Sequence, residues 1–191
     1  FSGAVTHAGT SAGETLTGDG TSNVVVAGEG DDTLQSKGGA DVLYAAEGDD
    51  LLQISDTAFA RVDGGTGDDT LEIDGSGITL DLTTIADNRV RAIESIDITG
   101  SGDNTLILDV LEVLNLSDTS NTLTVVGDAG DAVEIGPGWI RHTALDAPQQ
   151  RFTRGAAELL VSAGVTVSAV IQLESLDGSN GFRLDGVDPL D

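Results

Sequence analysis

Aspartate recurs beside glycine at a fixed interval in this chain, and that pairing suits one kind of chemistry, the gathering of oxygen atoms around a hard cation. Asp32, Asp50 and Asp69 close the stretches GEGDD, AEGDD and GTGDD, and Asn23 and Asp41 hold the equivalent place in the alternate stretches. The glycines ahead of them, Gly28, Gly30, Gly48, Gly65 and Gly67 among others, permit positive φ and let backbone carbonyls converge on one point. Carboxylate and carbonyl oxygens together are what a hard divalent ion takes.

The elements that position these residues follow from a nine-residue unit between Gly18 and Glu72. The units read GDGTSNVVV from Gly18, AGEGDDTLQ from Ala27, SKGGADVLY from Ser36, AAEGDDLLQ from Ala45 and, after one extra residue, GGTGDDTLE from Gly64. The intervening unit, Ile54 to Val62, lacks the motif. Position six holds Asn23, Asp32, Asp41, Asp50, Phe59 and Asp69; position eight holds Val25, Leu34, Leu43, Leu52, Arg61 and Leu71. Positions seven to nine alternate outward, inward, outward, so each short strand sends one apolar side chain into a narrow core. The expected fold is all-β, a parallel β-roll or β-helix solenoid with a small C-terminal β cap.

With two units per coil, residues 18 apart stack at the strand spacing of roughly 4.8 Å. Asp32, Asp50 and Asp69 then form one column, while Asn23 and Asp41 form a second that stops at Phe59. Two carboxylates about 5 Å apart repel by roughly 3 kcal/mol at an effective dielectric near 20. A cation would remove that repulsion and couple binding to folding. The competing reading is a metal-free helix whose aspartates only shape polar turns.

The Gly18 to Glu72 stretch resembles the glycine- and aspartate-rich repeats of RTX proteins, and Leu71 to Val161 looks like the β-solenoid that accompanies such repeats in very large bacterial adhesins. The resemblance implies Ca2+ as the bound ion, folding triggered outside the cell after type I secretion, and ligands drawn from position-six side chains and turn carbonyls. Those map to Asp32, Asp50, Asp69, Asp41 and Asn23, with Gly28, Gly30, Gly48, Gly65 and Gly67 in the turns. Departures include Lys37 for a second glycine, Ala45 and Ala46 for both, and Phe59 for aspartate, so few sites are expected.

Composition agrees with a cation-dependent fold. The 191 residues carry a net charge of -25 with only 3% aromatic side chains, a balance that would favour disorder were the Leu and Val not periodic. Eight Lys and Arg residues argue against nucleic acid, which needs clustered cations. Without cysteine there is neither a disulfide nor a thiolate site. Leu159 to Leu173 is too short and too interrupted for a membrane span. Phe1 is not an initiator methionine and no signal-peptide pattern follows it, so the chain reads as a fragment or processed product with neighbouring domains. G-x-S-x-G, H-E-x-x-H and P-loop motifs are all missing, and no enzyme is expected.

Taken in order, residues 1–17 read as a degenerate first coil, with Glu14 at position six and Leu16 at position eight. Residues 18–72 form the calcium-binding roll and 73–135 a metal-poor continuation, with strands expected at Ile78, Ser95, Thr105, Leu114 and Thr122. Weaker turn copies place Asn104, Asn121 and Asp131 at position six, and TTIADNRVRAIE suits a short helix or an excursion over the open side. Residues 136–162 are the capping strands, two of them around Gly155, since a solenoid end must be covered. Residues 163–191 form a tail or linker in which NGFRLDGV, from Asn180, resembles the first strand of an FG-GAP β-propeller repeat.

Two roles follow. One is a calcium-stiffened module of a secreted surface protein or adhesin; the other is a subunit of an extracellular fibre or surface layer that associates head to tail with its own copies. Ice binding is disfavoured, because outward turn positions hold Glu29, Asp31, Glu47 and Asp49 instead of threonine arrays.

Overall fold

The computed structural model describes residues 3–117, 119–142 and 148–169. The NGFRLDGV motif lies outside the described residues. The strands from Thr15 to Ile73 follow the expected rhythm of glycine turn and short extended segment, because the φ-permissive turns alternate with Val, Leu and Thr, except at Arg61–Thr66, whose preceding turn has no glycine. The chain winds as a solenoid of parallel sheets.

Three sheets form its walls. In one, His7–Ala8, Val24–Glu29, Val42–Glu47, Arg61–Thr66 and Val90–Arg91 pair in parallel. In the second, Thr15–Thr17, Thr33–Gln35, Leu51–Ile54, Thr70–Ile73, Ser95–Asp97, Thr122–Val126 and Ala157–Ser162 do the same. Register stacks Leu16, Leu34, Leu52, Leu71, Ile96, Val125 and Val161 in one apolar column. Val25, Leu43, Val62 and Val90 face it from the other wall, and Leu34, Leu43, Leu52, Val62 and Leu71 are fully buried. Outside, Gln35 donates to Gln53 at 2.7 Å and Gln53 to Glu72 at 2.9 Å, a polar ladder that holds the same register.

The third sheet, Thr79–Asp81, Thr105–Leu108, Ala132–Ile135 and Thr166–Ala169, begins after the repeats end. It turns the two-walled roll into a wider, three-walled solenoid. Its inward residues Leu80, Leu106 and Val133 are again fully buried. Within TTIADNRVRAIE the chain makes the Leu82–Thr84 3-10 turn and then the Val90–Arg91 strand.

Two expectations need correction. The strand expected from Leu114 is the end of an α-helix, Val110–Leu116, which starts at a capping box: Leu111 N–H donates to Asp109 Oδ1 at 2.6 Å, and Asp109 N–H to Glu112 Oε2 at 2.9 Å. Buried Val113 and Leu116 lie three apart, the helical period. The second correction concerns the motif-free unit. Leu43 pairs with Val62 and Val42 with Arg61, so Val62, not Arg61, takes the inward eighth position. The extra residue is absorbed ahead of Arg61, where the N–H groups of both Ala60 and Arg61 reach the Asp41 carbonyl.

At the C-terminal end, Gln149–Arg154 runs antiparallel to Ala157–Ser162 around Gly155, whose φ is 60°. Ile140–His142 then adds antiparallel to Gln149–Arg154. The hairpin extends the second sheet sideways and brings Phe152 into the core.

Candidate metal-binding turns

The turns between the first and second sheets carry the position-six column. They are tight because turn carbonyls of one coil press against glycines of the next: a Cβ on Gly48 would lie 2.3 Å from Gly30 O, on Gly67 2.0 Å from Gly48 O, and on Gly65 2.0 Å from Ala46 O. Gly28, Gly30, Gly48, Gly65 and Gly67 all adopt positive φ. The substituted turns keep that conformation, with Lys37 at 58° and Ala46 at 92°. The carbonyls of Gly30, Ala46 and Gly48 therefore lie against the glycines of the next coil, along the side of the roll that carries Asp32, Asp50 and Asp69.

The column itself is a hydrogen-bonded ladder. Asp32 Oδ1 accepts the N–H of Glu14 at 2.7 Å, Asp50 Oδ1 that of Asp32 at 2.7 Å, and Asp69 Oδ1 that of Asp50 at 2.9 Å. Spacing is 18 residues for the first two steps and 19 for the third. At the other turns Asp41 Oδ1 accepts the N–H of Asn23 at 2.6 Å, and Asn23 Oδ1 accepts that of Asp19 at 2.8 Å. Both columns of the sequence reading are thus assembled, with Asp32, Asp41, Asp50 and Asp69 almost wholly buried.

Each of these four carboxylates satisfies one oxygen and orphans the other. Asp32 Oδ2, Asp41 Oδ2, Asp50 Oδ2 and Asp69 Oδ2 are buried without a hydrogen-bond partner. An unsatisfied buried acceptor costs about 1–3 kcal/mol, and more when charged. Burial pushes the Asp69 carboxyl up to about 7, with the charges of Asp50, Glu94 and Asp49 adding to it. Burial also raises Asp41 and Asp50. Among the described residues no three His, Cys, Asp or Glu side chains form a cluster, so a cation here would complete its oxygen shell from turn carbonyls. The donor set, carboxylate and carbonyl oxygen without nitrogen or sulfur, fits calcium.

The downstream turns at Asn104 and Asp131 use the same ladder without orphaned oxygens. Asn104 Oδ1 accepts the N–H of Ile78 at 2.8 Å, and Asp131 Oδ1 accepts that of Asn104 at 2.9 Å. Asp131 Oδ2 accepts the N–H of Asp128 at 2.8 Å, while the Asn104 amide donates to Ile98 O at 3.1 Å. Every polar atom of these two side chains has a partner. At the first coil, Glu14 is likewise closed by the N–H and hydroxyl of Thr10.

Three carboxylates that take part in these ladders, Asp31, Asp49 and Glu94, are not among the site residues read from the sequence. Asp31 Oδ1 accepts the N–H of Asp49 at 3.0 Å and Asp49 Oδ1 that of Asp68 at 2.8 Å, so position five forms a second ladder running the opposite way. Glu94 Oε2 accepts the N–H of Asp69 at 2.9 Å and continues the position-six column. The available signal was its place two residues ahead of inward Ile96, as Asp69 stands to Leu71.

Residues 11–52 and 61–72 match the family model of the RTX calcium-binding nonapeptide repeat, in four copies. RTX nonapeptide repeats bind Ca2+, and the motif is structural, not catalytic. No curated protein and no solved structure matches the chain. Among the described residues no helix is long and apolar enough to cross a membrane.

Proposed function

We propose, from the premise that residues 11–72 are an RTX repeat region, that this chain is a module of a secreted bacterial surface protein or adhesin which folds and stiffens when it meets extracellular calcium. The ligands would be the side chains of Asp32, Asp50, Asp69 and Asp41, with Asn23 a lesser partner because its Oδ1 already accepts from Asp19. Turn carbonyls around Gly28, Gly30, Gly48, Gly65 and Gly67 would complete the shell. On this reading residues 18–72 are the calcium-dependent roll, 73–135 a metal-poor continuation, 136–162 a cap, and 163–191 a linker towards neighbouring domains.

One observation carries the reading. Among the described residues, four of the five orphaned, buried carboxylate oxygens fall on the position-six aspartates of the repeats and the fifth on Glu94 in the next coil, while the equivalent Asn104 and Asp131 turns have none. Buried charge is retained where a cation offsets it, and its removal leaves stacked repulsion of roughly 3 kcal/mol per neighbouring pair. Rigidity on calcium binding is then the physical output.

Far-UV circular dichroism and sedimentation of the same sample, in chelator and in millimolar calcium, test this. A gain of β signal with calcium at constant mass is expected. Equal β signal in both would remove the calcium-dependent role and leave a metal-free solenoid. A calcium-driven rise in mass would favour head-to-tail assembly, for which the unpaired outer side of the Thr15–Thr17 edge strand is a suitable surface among the described residues.

A further inference from the structure

We propose that the calcium column extends one coil beyond the repeats, to a junction site in which Glu94 acts as a ligand alongside Asp69. The inference rests on the calcium reading of the repeats but adds a residue and a site outside the matched segments.

Five carboxylate oxygens are buried without a partner among the described residues: Oδ2 of Asp32, Asp41, Asp50 and Asp69, and Oε1 of Glu94. Four belong to the nonapeptide; the fifth lies 25 residues past Asp69. Glu94 divides its oxygens as the aspartates do. Oε2 accepts the preceding coil's N–H at 2.9 Å, and Oε1 is left free for another partner. Asp69 is 0% exposed, and its own Oδ2 is also without a partner. The space that a Cβ on Gly64 would occupy is flanked by Asp69 Oδ2 at 2.4 Å and by Ala92 O, from the Glu94 coil, at 2.1 Å. The Asp69 carboxylate and the Ala92 carbonyl thus flank one spot where the repeat turn meets the next one, and the Asp69 N–H ties the Glu94 carboxylate to the same turn.

The local chain geometry explains why glutamate stands here. Val90 pairs with Val62 and Arg91 with Asp63, while Ser95 pairs with Thr70. The turn from Arg91 to Ser95 is therefore shorter than the one from Asp63 to Thr70 beneath it. It closes through Ala92 at φ 50°. A side chain one methylene longer than aspartate recovers the reach that the lost turn residues would have given. Contrast Glu14 at the other end of the column, where Thr10 satisfies both oxygens and no vacancy for a cation is left.

The site would link the roll mechanically to the wider solenoid. Ile93 N–H donates to Leu116 O at the end of the Val110–Leu116 helix, so an ion held by Glu94 fixes the turn on which that helix rests. Calcium titration calorimetry on the full chain, with Glu94→Gln, Glu94→Asp and Asp50→Asn in parallel, tests the idea. Expected for Glu94→Gln is the loss of one bound calcium, or about a tenfold weakening of one site, with the other sites retained. Glu94→Asp, which keeps the charge but shortens the reach, should show the same loss. Stability in chelator separates ligand from scaffold: Glu94→Gln should raise it by relieving repulsion with Asp69, whereas a purely structural Glu94 would lower it. Unchanged stoichiometry and affinity in both Glu94 variants, with Asp50→Asn weakened, would overturn the junction site alone. No calcium binding by the unsubstituted chain would overturn it together with the repeat reading.

Discussion

Asp50 Oδ1 accepts the backbone N–H of Asp32 in the preceding coil at 2.7 Å, and Asp50 Oδ2 is buried with nothing to accept from. The first contact sets the stacking of the coils; the second leaves a charge that the protein alone does not compensate. Asp50→Asn keeps an acceptor for the Asp32 N–H but removes the charge. Calcium affinity should fall by about tenfold or more by calorimetry, while the chelated protein becomes more stable in urea. Asp131→Asn should leave calcium binding unchanged and cost about 1 kcal/mol with or without metal, because one of its two N–H acceptors is lost.

The pH response should differ in sign between the chelated and calcium-loaded protein. Asp69 titrates at about 7 when folded, against 3.8 for an ordinary aspartate, chiefly because burial penalises its charge. A carboxyl raised on folding binds more protons in the folded state, so chelated stability falls as pH rises from 3.8 to about 7. Raised Asp41 and Asp50 add to this trend, whereas Glu14 and Asp19, held below their ordinary values of 4.5 and 3.8 by hydrogen bonds from Thr10 and Thr21, act in the opposite sense at the acid end. Calcium needs the ionised form, so its affinity falls as pH drops below about 7. Urea midpoints with chelator at the two ends of the window, and calcium titrations at the same pH values, check both signs. Greater chelated stability at the alkaline end would contradict the first.

Turn glycines should tolerate nothing larger where coils touch. Gly67→Ala would set a Cβ 2.0 Å from Gly48 O at a φ of 137°, and a loss of several kcal/mol is expected in calcium. The converse change, Ala46→Gly, relieves a φ of 92° and should raise stability by about 1 kcal/mol. Thermal melts in saturating calcium measure both.

Arg89 supplies a fixed positive charge where the second column ends. Its guanidinium donates to the carbonyls of Phe59 and Ala60 and lies 5.2 Å from the Phe59 ring centroid. Arg89→Met should therefore cost about 2–3 kcal/mol, the value of charge-assisted hydrogen bonds plus the ring contact. The loss should be equal in chelator and in calcium, since no metal takes part. A loss confined to the calcium form would show instead that Arg89 belongs to the metal-bound turns.

What the sequence determined by itself was the repeat, and with it the roll: Leu34, Leu52 and Leu71 in one inward column, Asp32, Asp50 and Asp69 in one turn column, and calcium as the ion. These are local regularities, in which turn chemistry and strand alternation agree within each nonapeptide. Only the tertiary structure decided the rest. The helix at Val110 was hidden because Val and Leu suit both periods and Asp109 with Glu112 is a short signal. The shift that brings Val62 inward in place of Arg61 depends on pairing with Leu43, which no spacing within the unit reveals. The third sheet and Glu94 share one cause: once coils lengthen past the repeats, what stacks upon what is settled by hydrogen bonds between coils, and sequence distance no longer measures neighbourhood.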